Sequence, residues 1–132
     1  AECLRRIDPS MVSQVMWEHS WTMEPRGLAE LLKAEDLLFH QVWYNRHWGL
    51  RIAIQEGKVK IVDKEIYPRK PGAMETVQRD VWEGALRAAR NTEKRYGKKN
   101  LGPWDDFEWG MINGKLSAIR WMLGDEWDML DT

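Results

Sequence analysis

Cysteine is almost missing from this chain. Cys3 stands alone, so no disulfide can close within the molecule. Phenylalanine is scarce as well, with two residues against nine tryptophans. No apolar run approaches the ~20 residues that a membrane-spanning helix needs, so no membrane partner is expected. The opening AECLRRID is already polar and lacks the charged–apolar–small order of a secretory signal. With one thiol and no such segment, the expected location is the reducing cytoplasm. Several catalytic signatures are missing too. There is no HExxH pair for zinc and no Gly-x-Ser-x-Gly turn for a serine nucleophile. GKLS at 114–117 has the closing letters of a phosphate loop without the glycine spacing before them. These gaps favour a non-enzymatic protein with no cofactor.

What the chain does hold is unevenly distributed charge. Residues 1–50 carry 5 basic and 7 acidic side chains, residues 51–100 carry 13 and 7, and residues 101–132 carry 2 and 7. A net charge of −1 therefore conceals a basic middle and an acidic end, able to neutralise one another or to attract partners of opposite sign. The 132 residues suffice for one core, and a single domain over 1–132 is expected.

Hydrophobic spacing predicts an α+β, mainly helical fold with about four helices. Asp8-Pro9 opens a short first helix to about Ser20, Asp as cap and Pro in the first turn. A second helix, capped by Thr22, carries Leu28, Leu31, Leu32, Leu38, Phe39, Val42 and Trp43 at helical spacing and ends near Gly49. The period then changes from 3.6 to 2. Leu50, Ile52 and Ile54, then Val59 and Ile61, alternate with polar or small residues around Glu56-Gly57, which predicts a β-hairpin between the second and third helices. PRKPG at 68–72 is an irregular connector. A third helix is predicted from about Ala73 to Tyr96, with Met74, Val77, Val81, Ala85 and Ala88 on its apolar side and Gly97 as its stop.

The stretch Leu101–Thr132 is expected to be the architectural centre. Asp105 and Glu108 have the spacing of a capping box. Two apolar stripes follow: Phe107, Met111, Gly114, Ala118 and Trp121, then Trp109, Ile112, Leu116, Ile119 and Leu123. Gly110 and Gly114 on this helix, with Gly84, Ala85, Ala88 and Ala89 on the third, predict that the last two helices form a close antiparallel pair.

Three groups of side chains are candidate sites. Asp36, His40 and His47 share one helix face at spacings that allow a carboxylate and imidazoles to hold a metal. Trp43, Trp48, Trp104, Trp121 and Trp127 are candidates for a ligand pocket or an interface, because an indole N–H needs a partner and this many seldom fit one small core. Lys58, Lys60, Arg87, Arg90, Lys94 and Arg95 are a candidate nucleic-acid surface, although a sequence pI of about 6.4 is low for a dedicated binder.

The segment NGKLSAIRWMLGDEWDMLDT resembles the C-terminal end of short proteins from bacteria, phages and environmental DNA that carry a similar Leu-Ser-Ala-Leu-Arg-Trp-x-Leu-Gly sequence. The resemblance spans the last quarter of the chain and implies a phage or mobile-element setting, without any activity, cofactor or site residue. The expected function is a small soluble protein-binding or assembly module that pairs with itself or another protein. The alternatives are a nucleic-acid-associated accessory protein and a small metal- or ligand-binding enzyme with a tryptophan-lined pocket.

Overall fold

The computed structural model describes residues 24–127. The chain divides into two compact units between Glu30 and Leu31. Every described helix and strand belongs to the second unit, except for the opening residues of the helix that enters it. The expected first helix with its His19, Cys3 and the last five residues lie outside the described part.

The element order is α1 (Leu28–Gln55), β1 (Val59–Val62), β2 (Glu75–Gln78), α2 (Arg79–Tyr96), a short 3-10 turn (Lys98–Asn100) and α3 (Asp106–Met122). The mainly helical α+β class is as the sequence indicates. At 28 residues, α1 extends roughly 42 Å, and both later helices pack on it.

The largest departure from expectation is the hairpin. Residues 50–55 continue α1 rather than forming a strand, and the helix passes through Gly49. Glu56-Gly57 ends that helix instead of turning a hairpin. Gly57 takes a positive φ of 75°, its N–H donates to the Ile54 carbonyl, and the Lys58 N–H reaches back to Ala53 at 2.9 Å. That pair of bonds is the Schellman closure, which favours glycine at this φ. An apolar run of this length fits either period, and burial decides between them. His47 is buried while Leu50 and Ile54 are half-buried, a helical spacing.

The two strands are parallel, with Val59 opposite Glu75 and Ile61 opposite Val77. A parallel pair requires a crossover rather than a tight turn, and the irregular connector 63–74 supplies it. Glu65 organises that connector. It accepts hydrogen bonds from the Tyr67 hydroxyl at 2.5 Å, from Arg69 at 3.1 Å and from Thr76 Oγ1 at 3.2 Å. These donors, the Tyr67 hydroxyl foremost, hold its carboxyl below the usual range.

The third expected helix therefore begins at Arg79, not Ala73, and Val77 belongs to a strand. Gln78 both ends β2 and stands at the N-cap position of α2, without a side-chain cap bond, and Gly97 stops the helix as expected, at φ 80°. The inward face of α2 holds Trp82, Ala89 and Thr92, whereas Val81 is exposed. The buried stripe is thus turned about one residue from the expected one.

α3 begins with the full capping box: Asp105 accepts from the Glu108 N–H and Glu108 accepts from the Asp105 N–H. Its second stripe faces inward, with Ile112 and Leu116 packed on Val42 of α1, flanked by Leu38, Trp104 and Trp109. Arg120 closes this contact by donating twice to Glu35 at 3.1 Å. A second cluster lies between α1 and α2, where Tyr44, Ala89 and Leu101 pack with Trp43 and Tyr96. Both short helices run antiparallel to α1, since Glu35 meets Arg120 while Val42 meets Ile112, and Asp36 meets Arg95 while Tyr44 meets Glu93.

The expected close pairing of α2 with α3 is not formed. Beyond the helix's own turns, no described atom lies within 4 Å of where a Cβ would stand at Gly110 or Gly114, and at Gly84 only the side chain of Arg87 on the same helix does. The glycines of α3 face outward because the bulkier stripe beside them buries more apolar surface against α1. The centre of the unit is α1, not Leu101–Thr132.

Leu116 is 1% exposed at the middle of the α1–α3 cluster. Leu116→Ala is expected to destabilise the protein by about 2–5 kcal/mol through lost burial and a residual cavity. Met111→Ala, on the opposite side of α3, should change stability by less than about 1 kcal/mol. Urea denaturation of both variants checks the assignment of the two faces, and equal losses would contradict it.

Candidate functional site

A cleft of about 570 Å³ opens between the second half of α1 and the link from the 3-10 turn to α3. One wall is Tyr44, Trp48 and Ile52, spaced four apart so that they stack along one helix face. Leu101 and Pro103 make the other wall. Leu101 is fixed by burial against Tyr44 and Ala89. The turn before it is clipped to α1, where the Gln41 amide donates to the Asn100 carbonyl at 2.9 Å. Gly102, at φ 110°, lets the chain bend over the cleft, and a Cβ there would stand 3.0 Å from Trp104 Nε1.

The floor is Gly49. It sits inside a long helix, where glycine costs about 1 kcal/mol relative to alanine. Beyond its own helical turn, no described atom lies within 4 Å of the position a Cβ would take, so the space above it belongs to the cleft. Two polar groups border this apolar volume. Asn45 is half-buried, and its amide has no hydrogen-bond partner among the described residues. Lys98 forms a long ion pair with Glu93 Oε2 at 3.8 Å, beyond hydrogen-bond distance. Glu93 in turn accepts from the Tyr44 hydroxyl at 2.7 Å. Burial, with this bond adding to it, pushes the Tyr44 phenol above its ordinary pKa.

The metal candidates separate. His40 Nδ1 lies 2.7 Å from the Asp36 carbonyl and 3.7 Å from its carboxylate. Asp36 is occupied by the Tyr96 hydroxyl, which donates to Oδ2, and by Arg95 at 2.8 Å. The tyrosine bond foremost, with His40 and Arg95, keeps the Asp36 carboxyl below its usual range. His47 lies elsewhere, buried between Trp43 and Trp82 with both ring centroids at 5.3 Å and interplanar angles of 10° and 26°. Among the described residues no group of three His, Cys, Asp or Glu side chains converges as a metal site would need.

The tryptophan candidates also divide. Trp43 stacks on His47, and Trp104 packs into the α1–α3 cluster with its Nε1 buried and unbonded among the described residues. Trp48 is on the cleft wall, its ring under the Arg51 guanidinium at 4.7 Å. Trp121 and Trp127 are half exposed and stack on each other at 4.8 Å. They continue an outward face of α3 that includes Phe107, Gly110, Met111, Gly114 and Lys115.

Of the basic candidates, Lys58 pairs with Glu56 at 2.5 Å and Arg95 with Asp36. Arg87, Arg90 and Lys94 form an exposed row on α2, and Lys60 projects separately from β1. Sequence reasoning that ends the helix at Gly49 misses Gly49 itself, Asn45 and Pro103 as lining residues. The signal that could find them is an interior glycine inside an otherwise continuous helical pattern.

Burial between two indoles disfavours the His47 imidazolium and holds its pKa below the ordinary value. Arg51 adds to the effect and Glu93 opposes it. Above the unfolded-state value of about 6.5, the neutral ring contributes its full stability. As pH falls below that value the unfolded chain binds a proton that the folded chain resists, and stability declines towards the folded pKa. Urea midpoints measured from pH 8 to pH 5 should fall, and His47→Phe should flatten that slope. An unchanged slope in the variant would remove His47 as its source. In comparison with known proteins, the chain matches no protein family, no curated protein and no solved structure.

Proposed function

We propose that this chain is a small protein-binding module that assembles with a second copy through the outward face of α3. The observation that carries this reading is the order of residues on that face. Phe107 is 76% exposed, Met111 and Trp121 are about half exposed, and the glycines between them are bare. An apolar surface of this kind on a small helix marks an interaction site.

The face is also complementary to itself. When two α3 helices cross antiparallel with a twofold axis between Gly110 and Met111, Asp106 opposes Lys115, Phe107 opposes Gly114, and Gly110 opposes Met111. Each pair joins acid to base or a large side chain to a glycine, as an isologous contact requires. The Trp121–Trp127 stack extends the apolar face towards the end of α3, and tryptophan is enriched among the residues that anchor contacts between chains.

A second reading rests on the row Arg87, Arg90 and Lys94, which no described carboxylate pairs. This row suits phosphate contacts, and retention on random DNA that weakens with added salt would support it.

Sedimentation velocity across a wide concentration range tests the assembly. The wild type should shift from monomer to dimer, and Met111→Glu should remain monomeric. Lys115→Glu should weaken the dimer and Asp106→Lys added to it should restore association. A wild type that stays monomeric at every concentration overturns the reading.

A further inference from the structure

We infer that the cleft above Gly49 binds a small amphiphilic carboxylate, an apolar chain or ring bearing one acidic group. Its volume of about 570 Å³ is within the range of small-molecule sites. The walls provided by Trp48, Ile52, Leu101 and Pro103 are apolar, which fits a hydrocarbon body. The polar groups fit a single acid at its end. Lys98 supplies the cation; its ion pair with Glu93 is long, at 3.8 Å, and its side chain is largely exposed, so ammonium donors remain to meet an acid. The Asn45 amide, unbonded among the described residues, supplies a neutral donor. A carboxylate accepts from both, as charge-assisted recognition requires. Glu93 also limits the site to one acidic group, since its carboxylate stands beside Lys98 and repels further negative charge.

Gly49 is the second observation. It leaves this part of the lining bare within the second half of α1, with no described atom beyond its own helical turn within 4 Å of a Cβ position. A larger residue there therefore has the space of the cleft to occupy, narrowing the site while the helix is kept.

The test uses the full chain, with octanoate and 1-octanol as probes, followed by the Trp48 indole and Leu101 amide signals in proton–nitrogen NMR. Octanoate should produce saturable shifts at both positions. Gly49→Leu should abolish them while keeping or raising the urea midpoint. Lys98→Met should weaken octanoate roughly tenfold, the scale of one charge-assisted hydrogen bond at a partly wet site, and leave octanol unchanged. Met111→Glu should bind octanoate like the wild type, so failure of the α3 assembly leaves this inference standing. Absence of saturation, shifts confined to Phe107 and Trp121, or unaltered octanoate binding by Gly49→Leu would each overturn it.

Discussion

α1 is buried on two sides by two different partners, and most of the unit's properties depend on that arrangement. Val42 and its neighbours receive Ile112 and Leu116 from α3, while Tyr44, two residues on, belongs to the cluster with Ala89 and Leu101. Each contact is one helix wide. A helix seated on a single neighbour covers only one stripe of its surface, so α2 and α3 each keep an outward face. On α2 that face is basic and well hydrated. On α3 it is apolar, and this difference favours α3 as the surface for the proposed assembly.

The same division explains the cleft. The turn 98–103 must connect the end of α2 to the start of α3 across the flank of α1. Leu101 is driven into the α1–α2 cluster, whereas Trp104 belongs to the α1–α3 cluster. Between these two anchors the chain arches, and Gly102 makes the bend possible where a side chain would strike Trp104. The space under the arch is the cleft. It arises from two fixed points and a helix that lines the space with a glycine.

Local signals in the sequence are legible where they are self-contained. Asp105 and Glu108 satisfy each other within one turn, and Gly97 ends α2 by its own backbone preference, so neither needs tertiary knowledge. The second stripe of α3 is legible for the same reason. Choosing between its two stripes is not, because Phe107, Met111 and Trp121 are as apolar as Ile112 and Leu116, and only the facing residues on α1 separate them. The ambiguity between helix and strand at Leu50–Gln55 has a similar origin. Isoleucines alternating with polar or small residues fit a strand, yet the turn-by-turn burial of His47, Leu50 and Ile54 requires a helix. Gly57 marks a break in either case, since a glycine at positive φ serves a Schellman closure as readily as a hairpin. The cleft joins positions about fifty residues apart, and no local pattern encodes that proximity.

β2 passes into α2 without an intervening residue, since Gln78 completes the strand and stands at the N-cap position of the helix. Strand and helix therefore behave as one rigid crank. Sliding β2 by one residue along β1 would turn its side chains to the opposite face of the sheet and displace the start of α2, carrying Trp82 away from the imidazole of His47. A two-stranded parallel ladder has few bonds with which to hold its register. The alignment of these strands is also tied from outside the ladder, by the Glu65 bond to Thr76 and by Trp82 stacked against His47 on another helix.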